Sequence, residues 1–83
     1  MSERHIQLGV LAESRTKKME LAAECEGLIR GIRTIILPAS TRPLAELDVH
    51  AALELMNTLH DRHNDFMAVS KRIENLKAEL GER

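Results

Sequence analysis

Eighty-three residues allow one small domain, and a chain of this size buries so little surface that it usually relies on idealised helix packing or on assembly. Apolar residues make up 43% and aromatic residues 1%, with Phe66 the sole ring, so the composition excludes most strand-rich folds and favours helix. Twelve Lys and Arg against thirteen Asp and Glu give a formal charge of −1, which argues against a whole-surface footprint for nucleic acid or anionic lipid.

The apolar spacing predicts a first helix over about residues 3–37. Ser2 can cap it, and no proline interrupts it before Pro38. With Leu11, Lys18, Cys25 and Ile32 at heptad position a, the d positions are Ser14, Leu21, Leu28 and Ile35, which makes one seam with two polar members. Gly27 and Gly31 form an i, i+4, i+8 strip with Ala23. Such a strip lets another helix backbone approach closely, although the glycines can equally just soften the helix near its end. Cys25 is the only cysteine, so no intrachain disulfide can form, and at an a position it reads as a buried, inert thiol.

Leu37-Pro38-Ala39-Ser40-Thr41-Arg42-Pro43 is the one clear break, and residues 38–42 are expected to form the loop. Ser40 or Thr41 followed by Pro43 is first-turn chemistry, which starts the second helix near Pro43. Asp48 is a second candidate start, as a cap for Val49 onward. This helix is expected over about residues 43–80. Ala45, Ala52, Leu59, Phe66, Ile73 and Leu80 fall at a, and Leu55, Arg62, Val69 and Leu76 at d, with Asp48 a polar exception. Gly81 suits the residue after its C-terminus, and Lys77 suits the negative end of its dipole.

Two helices of similar length joined by a short loop become antiparallel neighbours. Folding the chain about Ser40 sets Leu28 against Ala52, Cys25 against Leu55, Lys18 against Arg62, Ser14 against Phe66 and Leu11 against Val69. The sequence therefore predicts an all-α antiparallel hairpin spanning residues 1–83 as one domain. Lys18 and Arg62 would form a polar layer that either sets register or meets an acidic partner.

Further apolar residues lie beyond the seams in the half near the loop: Ala22, Ile29, Ile36, Leu47, Val49, Leu53 and Met56. A stripe this broad calls for another layer. A second copy, giving a four-helix bundle, is the simplest cover, and a heterologous helical protein is the other. The predicted interface residues are Ala23, Gly27, Gly31, Ile29, Ile36, Val49, Leu53 and Met56.

Chemistry-bearing motifs are sparse. His60 and His63 stand i, i+3 in His60-Asp61-Arg62-His63-Asn64-Asp65, but two imidazoles are too few for a metal site. Asn57 also occupies the place where a di-iron bundle has its glutamate, so a solvated polar face is expected, with no metal and no cofactor. Arg15, Lys17 and Lys18 offer a basic cluster for a nucleic-acid-binding regulator, yet Glu13, Glu20, Glu24 and Glu26 interleave with it and favour intrahelical pairing. No nucleophile with a base and an orienting group is visible, nor a phosphate-binding loop, so no enzyme is expected. With no apolar run approaching ~20 residues and no signal-like start, neither membrane span nor export is expected, and the compartment is cytoplasmic by default.

The architecture, with Leu59-His60-Asp61, resembles the small antiparallel hairpin dimers of the plasmid RNA-binding Rop type. The resemblance covers only those residues and implies a four-helix dimer. The basic, aromatic-bearing RNA face of that type is not recognisable here, so no RNA-binding residue carries over. The expected function is a non-enzymatic interaction or structural module acting by homodimerisation. The alternatives are the nucleic-acid-binding regulator and a chaperone or adaptor subunit whose apolar face binds another protein.

Overall fold

The computed structural model describes residues 3–81. Helix α1 runs Glu3–Ile36 and helix α2 runs Val49–Leu80, joined through 3-10 turns at Leu37–Ser40 and Leu44–Glu46. Together they form an antiparallel hairpin 62 × 20 × 14 Å. Among the described residues there is no strand. The proposed Ser2 cap lies outside the described residues.

Helix α1 stops where proline chemistry requires. Pro38 cannot donate a backbone hydrogen bond and disfavours α geometry at Leu37, so the chain tightens into a 3-10 turn. The amides of Thr41 and Arg42 both donate to the Pro38 carbonyl, at 3.0 and 2.9 Å. The hydroxyls of Ser40 and Thr41 donate back to the Leu37 and Pro38 carbonyls. These side chains therefore close the first turn instead of opening the next helix.

The start of α2 corrects the expectation of a helix from Pro43. Pro43 has φ −56° and ψ 142°, and Leu47 is extended, so neither residue is helical. Asp48 is the cap: its carboxylate accepts the Ala51 amide at 3.0 Å, which satisfies one of the orphan donors of the first turn. Ala45 consequently falls outside the helix. At the other end Gly81 adopts φ 74°, the left-handed geometry open to glycine at little cost, and its amide donates to the Ala78 carbonyl.

The later start moves the register. Lys18 Nζ sits 5.6 Å from the centre of the Phe66 ring, and Arg4 Nη1 donates to the Leu80 carbonyl at 3.4 Å. Gln7 Nε2 donates to Glu79, and a Cβ placed on Gly31 would lie 3.2 Å from Leu55 Cδ1. Folding about Ser40 would have set Lys18 against Arg62 and Cys25 against Leu55. The observed partners lie about one helical turn further along, because the connection extends from Leu37 to Asp48 and its centre lies near Arg42 and Pro43.

The seam itself is the one the heptads specify. From Leu11 to Ile35 and from Ala52 to Leu80, every a and d residue is buried or half-buried. Burial is uneven along it. Leu11, Ser14, Leu21, Ile73 and Leu80 are buried, and Leu11, Ile73 and Leu80 cluster with Val69 and Leu76 at the end away from the loop. Toward the loop, Leu28, Ile32, Ile35, Leu55 and Leu59 are only half-buried. The hairpin thus closes one half of its core and leaves the other half open.

Glycines in α1 provide a local test of this packing. A Cβ at Gly9 would meet nothing within 4 Å, and one at Gly27 only the flexible Arg30 guanidinium at 3.7 Å. Gly9→Ala and Gly27→Ala are each expected to raise stability by about 0.5–1 kcal/mol, the usual gain for glycine to alanine inside a helix. At Gly31 the Cβ would lie 3.2 Å from Leu55 Cδ1, so Gly31→Ala should fall short of that gain. Urea or thermal melts of the three variants check the order, and equal gains at all three would contradict the Gly31–Leu55 contact.

Candidate interaction surface

In an antiparallel pair the helices are related by an approximate two-fold axis normal to the plane of the hairpin, so each flank of the seam keeps its own side. The e and b positions of α1 therefore share one broad face with the e and b positions of α2, and the g and c positions share the other. A shallow cleft lined by Val10, Glu13, Ser14 and Lys17 of α1 with Val69 and Arg72 of α2 shows the pairing on the g and c side.

The two faces differ in chemistry. Nine large apolar residues of the two helices are exposed: Ile6, Leu8, Met19, Ile29, Ile36, Val49, Leu53, Met56 and Met67. All but Ile6 occupy e or b positions. The opposite face carries Glu13, Lys17, Glu20 and Glu24 from α1, and Glu54, Asp61, Asp65 and Arg72 from α2. The apolar residues are densest toward the loop, alongside the half of the seam that is only half-buried. Leu37 and Leu44, 60% and 81% exposed, extend the apolar surface into the connection.

The predicted interface residues separate between the faces. Ile29, Ile36, Val49, Leu53 and Met56 lie together on the apolar side and are all exposed. Ala23, Gly27 and Gly31 occupy f, c and g positions, away from that side, and the closest approach at Gly31 is made by Leu55 of the same chain. Reading only the apolar residues of the e flank misses Met19 and Met67 at b, and leaves His60 at b and His63 at e as a polar face. The signal that recovers them is e and b taken together: on α2, Val49, Leu53, Met56, His60, His63 and Met67 alternate steps of four and three.

The polar layer is also divided. Lys18 is half-buried with its ammonium over the Phe66 ring, a cation–π contact. Arg62 is half-buried and turns to Asp65 on its own helix, Nη1 to Oδ2 3.6 Å, while its Nε is buried without a hydrogen-bond partner. The two cations occupy successive turns of the seam instead of one layer.

Other candidates are dispersed. His60 Nδ1 lies 3.8 Å from Asp61 Oδ1, and His50 pairs with Glu54 at 3.0 Å. Among the described residues no three His, Cys, Asp or Glu side chains converge on a metal position. Cys25 is a free, half-buried thiol in the seam. Arg15, Lys17 and Lys18 point in three directions, at e, g and a positions, with Lys18 directed inward. No described helix is long and apolar enough to cross a membrane. Neither a protein-family model nor any curated protein or solved structure gives a significant match to this chain.

Proposed function

We propose that the chain is a non-enzymatic helical interaction module that works by pairing its apolar face with a second copy, forming a four-helix bundle. The observation that supports this reading is the segregation of exposed apolar side chains onto the e and b face, next to a seam that is incompletely buried on the loop side. Leaving these residues in water forgoes roughly 1.5–3 kcal/mol for each large side chain that burial would recover.

Size and charge favour a second copy as the occupant. One broad side of a hairpin measuring 62 by 20 Å offers on the order of 1,000 Å², above the ~800 Å² per partner of a standard interface. The charged residues on this face, Arg15, Glu26 and Arg33 on α1 with Glu74 and Lys77 on α2, are of both signs, so two copies do not repel each other. An isologous contact then covers both patches at once. The basic cluster supports the nucleic-acid reading less well, since its members do not share a face.

Ile29→Asp combined with Met56→Asp tests the proposal. Both residues are exposed in the hairpin, so the fold within each chain is spared, while two unpaired carboxylates enter each half of the interface. Sedimentation equilibrium is expected to show a wild-type dimer and at least a 100-fold weaker association for the variant. Glu54→Gln, on the polar face, should match the wild type. A wild-type chain that sediments as a monomer at tens of micromolar would overturn the second copy as occupant and turn attention to a heterologous helical protein.

A further inference from the structure

The apolar stripe on α2 is interrupted at its middle by two histidines. Val49, Leu53 and Met56 precede His60 and His63, and Met67 follows, all on the same e and b face. A copy that covers Val49 to Met67 must cover both imidazoles. The His60 side chain is 74% exposed in the hairpin, so its environment is set by whatever docks there. We infer that His60 and His63 make the self-association acid-labile: neutral imidazoles are accommodated in the paired face, and protonated ones drive the copies apart. The inference rests on the proposed self-association.

The surrounding charges decide the sign. On α2, Asp61 is beside His60 at 3.8 Å but belongs to the polar c flank, and Arg62 is held by Asp65. At the same height on α1, the e and b positions are Met19, Ala22, Glu26 and Ile29, so Glu26 is the one carboxylate of that helix on this stretch of the face. Arg15 and Arg33 lie to either side of it along the same flank, and Lys18 points into the seam. His5, also at b, is beyond the apolar run, and His50 occupies an f position paired with Glu54.

A dimer that covers this face therefore sets four imidazoles among apolar side chains, with Glu26 the one carboxylate of each copy on the covered stretch and Asp61 on the polar flank beside it. Burying a charge without a partner is costly, whereas a neutral imidazole is far less so. Covering the face then disfavours protonated imidazoles there, and by linkage the affinity of the two copies falls with falling pH.

Sedimentation equilibrium at pH 7.5 and pH 5.5 tests the inference. The wild-type dissociation constant is expected to rise at least 10-fold at the lower pH, and His50→Leu should keep that rise. His60→Leu with His63→Leu should abolish it. His60→Gln with His63→Gln, polar but without a titrating proton, should do the same and serves if the leucine variant associates further. Equal wild-type constants at the two pH values overturn the histidine inference and leave the dimer standing. A rise that persists in both double variants also overturns it. A monomer at pH 7.5 overturns both readings.

Discussion

Leu11→Asp and Ile73→Asp are each expected to abolish the folded state, seen as loss of the helical circular dichroism signal at 25 °C. Leu11 is 1% exposed and belongs, with Ile73 and Leu80, to the buried apolar cluster of the described residues, against which Val69 and Leu76 pack. An unpaired carboxylate there costs several kcal/mol. A domain of this length has a total stability of about 4–12 kcal/mol at roughly 0.05–0.15 kcal/mol per residue. The rest of the seam cannot compensate, because toward the loop its members are only half-buried. Glu20→Gln, exposed on the polar face, should leave the melting temperature within about a degree of wild type. A helical signal and melting temperature retained by Leu11→Asp would refute the placement of the core.

Leu28 and Leu55 occupy equivalent seam positions nearer the loop, yet their burial within one chain is only partial. The cost of a charge at these two positions depends on whether the open half is covered. The same asymmetry links fold to assembly. A hairpin whose own core closes at one end and whose exposed apolar residues gather at the other already divides its surface into a self-sufficient part and a part that benefits from a neighbour. Under the proposed self-association, stability is expected to depend on protein concentration, as it does whenever association contributes to the folded state.

The seam was legible in the sequence because it rests on a single physical signal. Apolar residues that recur every 3.5 positions must face inward on a helix, and the positions from Leu11 to Ile35 and from Ala52 to Leu80 follow that rule. Register was not legible, because it depends on where α2 begins, and two local chemistries competed for that start. Ser40, Thr41 and Pro43 resemble the opening of a helix, but the hydroxyls bond backwards to Leu37 and Pro38, and Asp48 captures the first turn. A difference of a few loop residues becomes about one turn of shift all along the pair, so Lys18 meets Phe66 rather than Arg62.

The apolar face was partly legible for a related reason. Ile29, Ile36, Val49 and Met56 stand out at e because e flanks the seam. Leu53 is picked out as well although it stands at b, whereas Met19 and Met67, also at b, read as solvent-facing in an isolated pair. Only when the two helices are placed side by side do both flanks become one surface, and the histidines become part of it.

Replacing the two seam cations by leucine should change the molecule in opposite directions at once. In the Lys18→Leu, Arg62→Leu variant, two half-buried charged side chains give way to residues that extend the apolar seam from Leu59 and Leu21 toward Leu11 and Ile73. The larger share of the gain should come from Arg62, whose Nε is buried without a partner and whose ion pair with Asp65 is partly exposed and therefore weak. Lys18 contributes less, since removing it also removes the contact with Phe66, worth on the order of 0.5–2 kcal/mol. The melting temperature is expected to rise, by roughly 4–8 °C per kcal/mol gained for a domain near this size. Specificity should fall in parallel. Polar residues at a and d positions exclude alternative registers and oligomers, and an uninterrupted leucine seam tolerates them. Sedimentation velocity should therefore resolve a broader distribution for the double variant than for the wild type, with Arg62→Leu alone in between. A single sharp species with an unchanged melting temperature would contradict the register role and mark Lys18 and Arg62 as a site for an acidic partner.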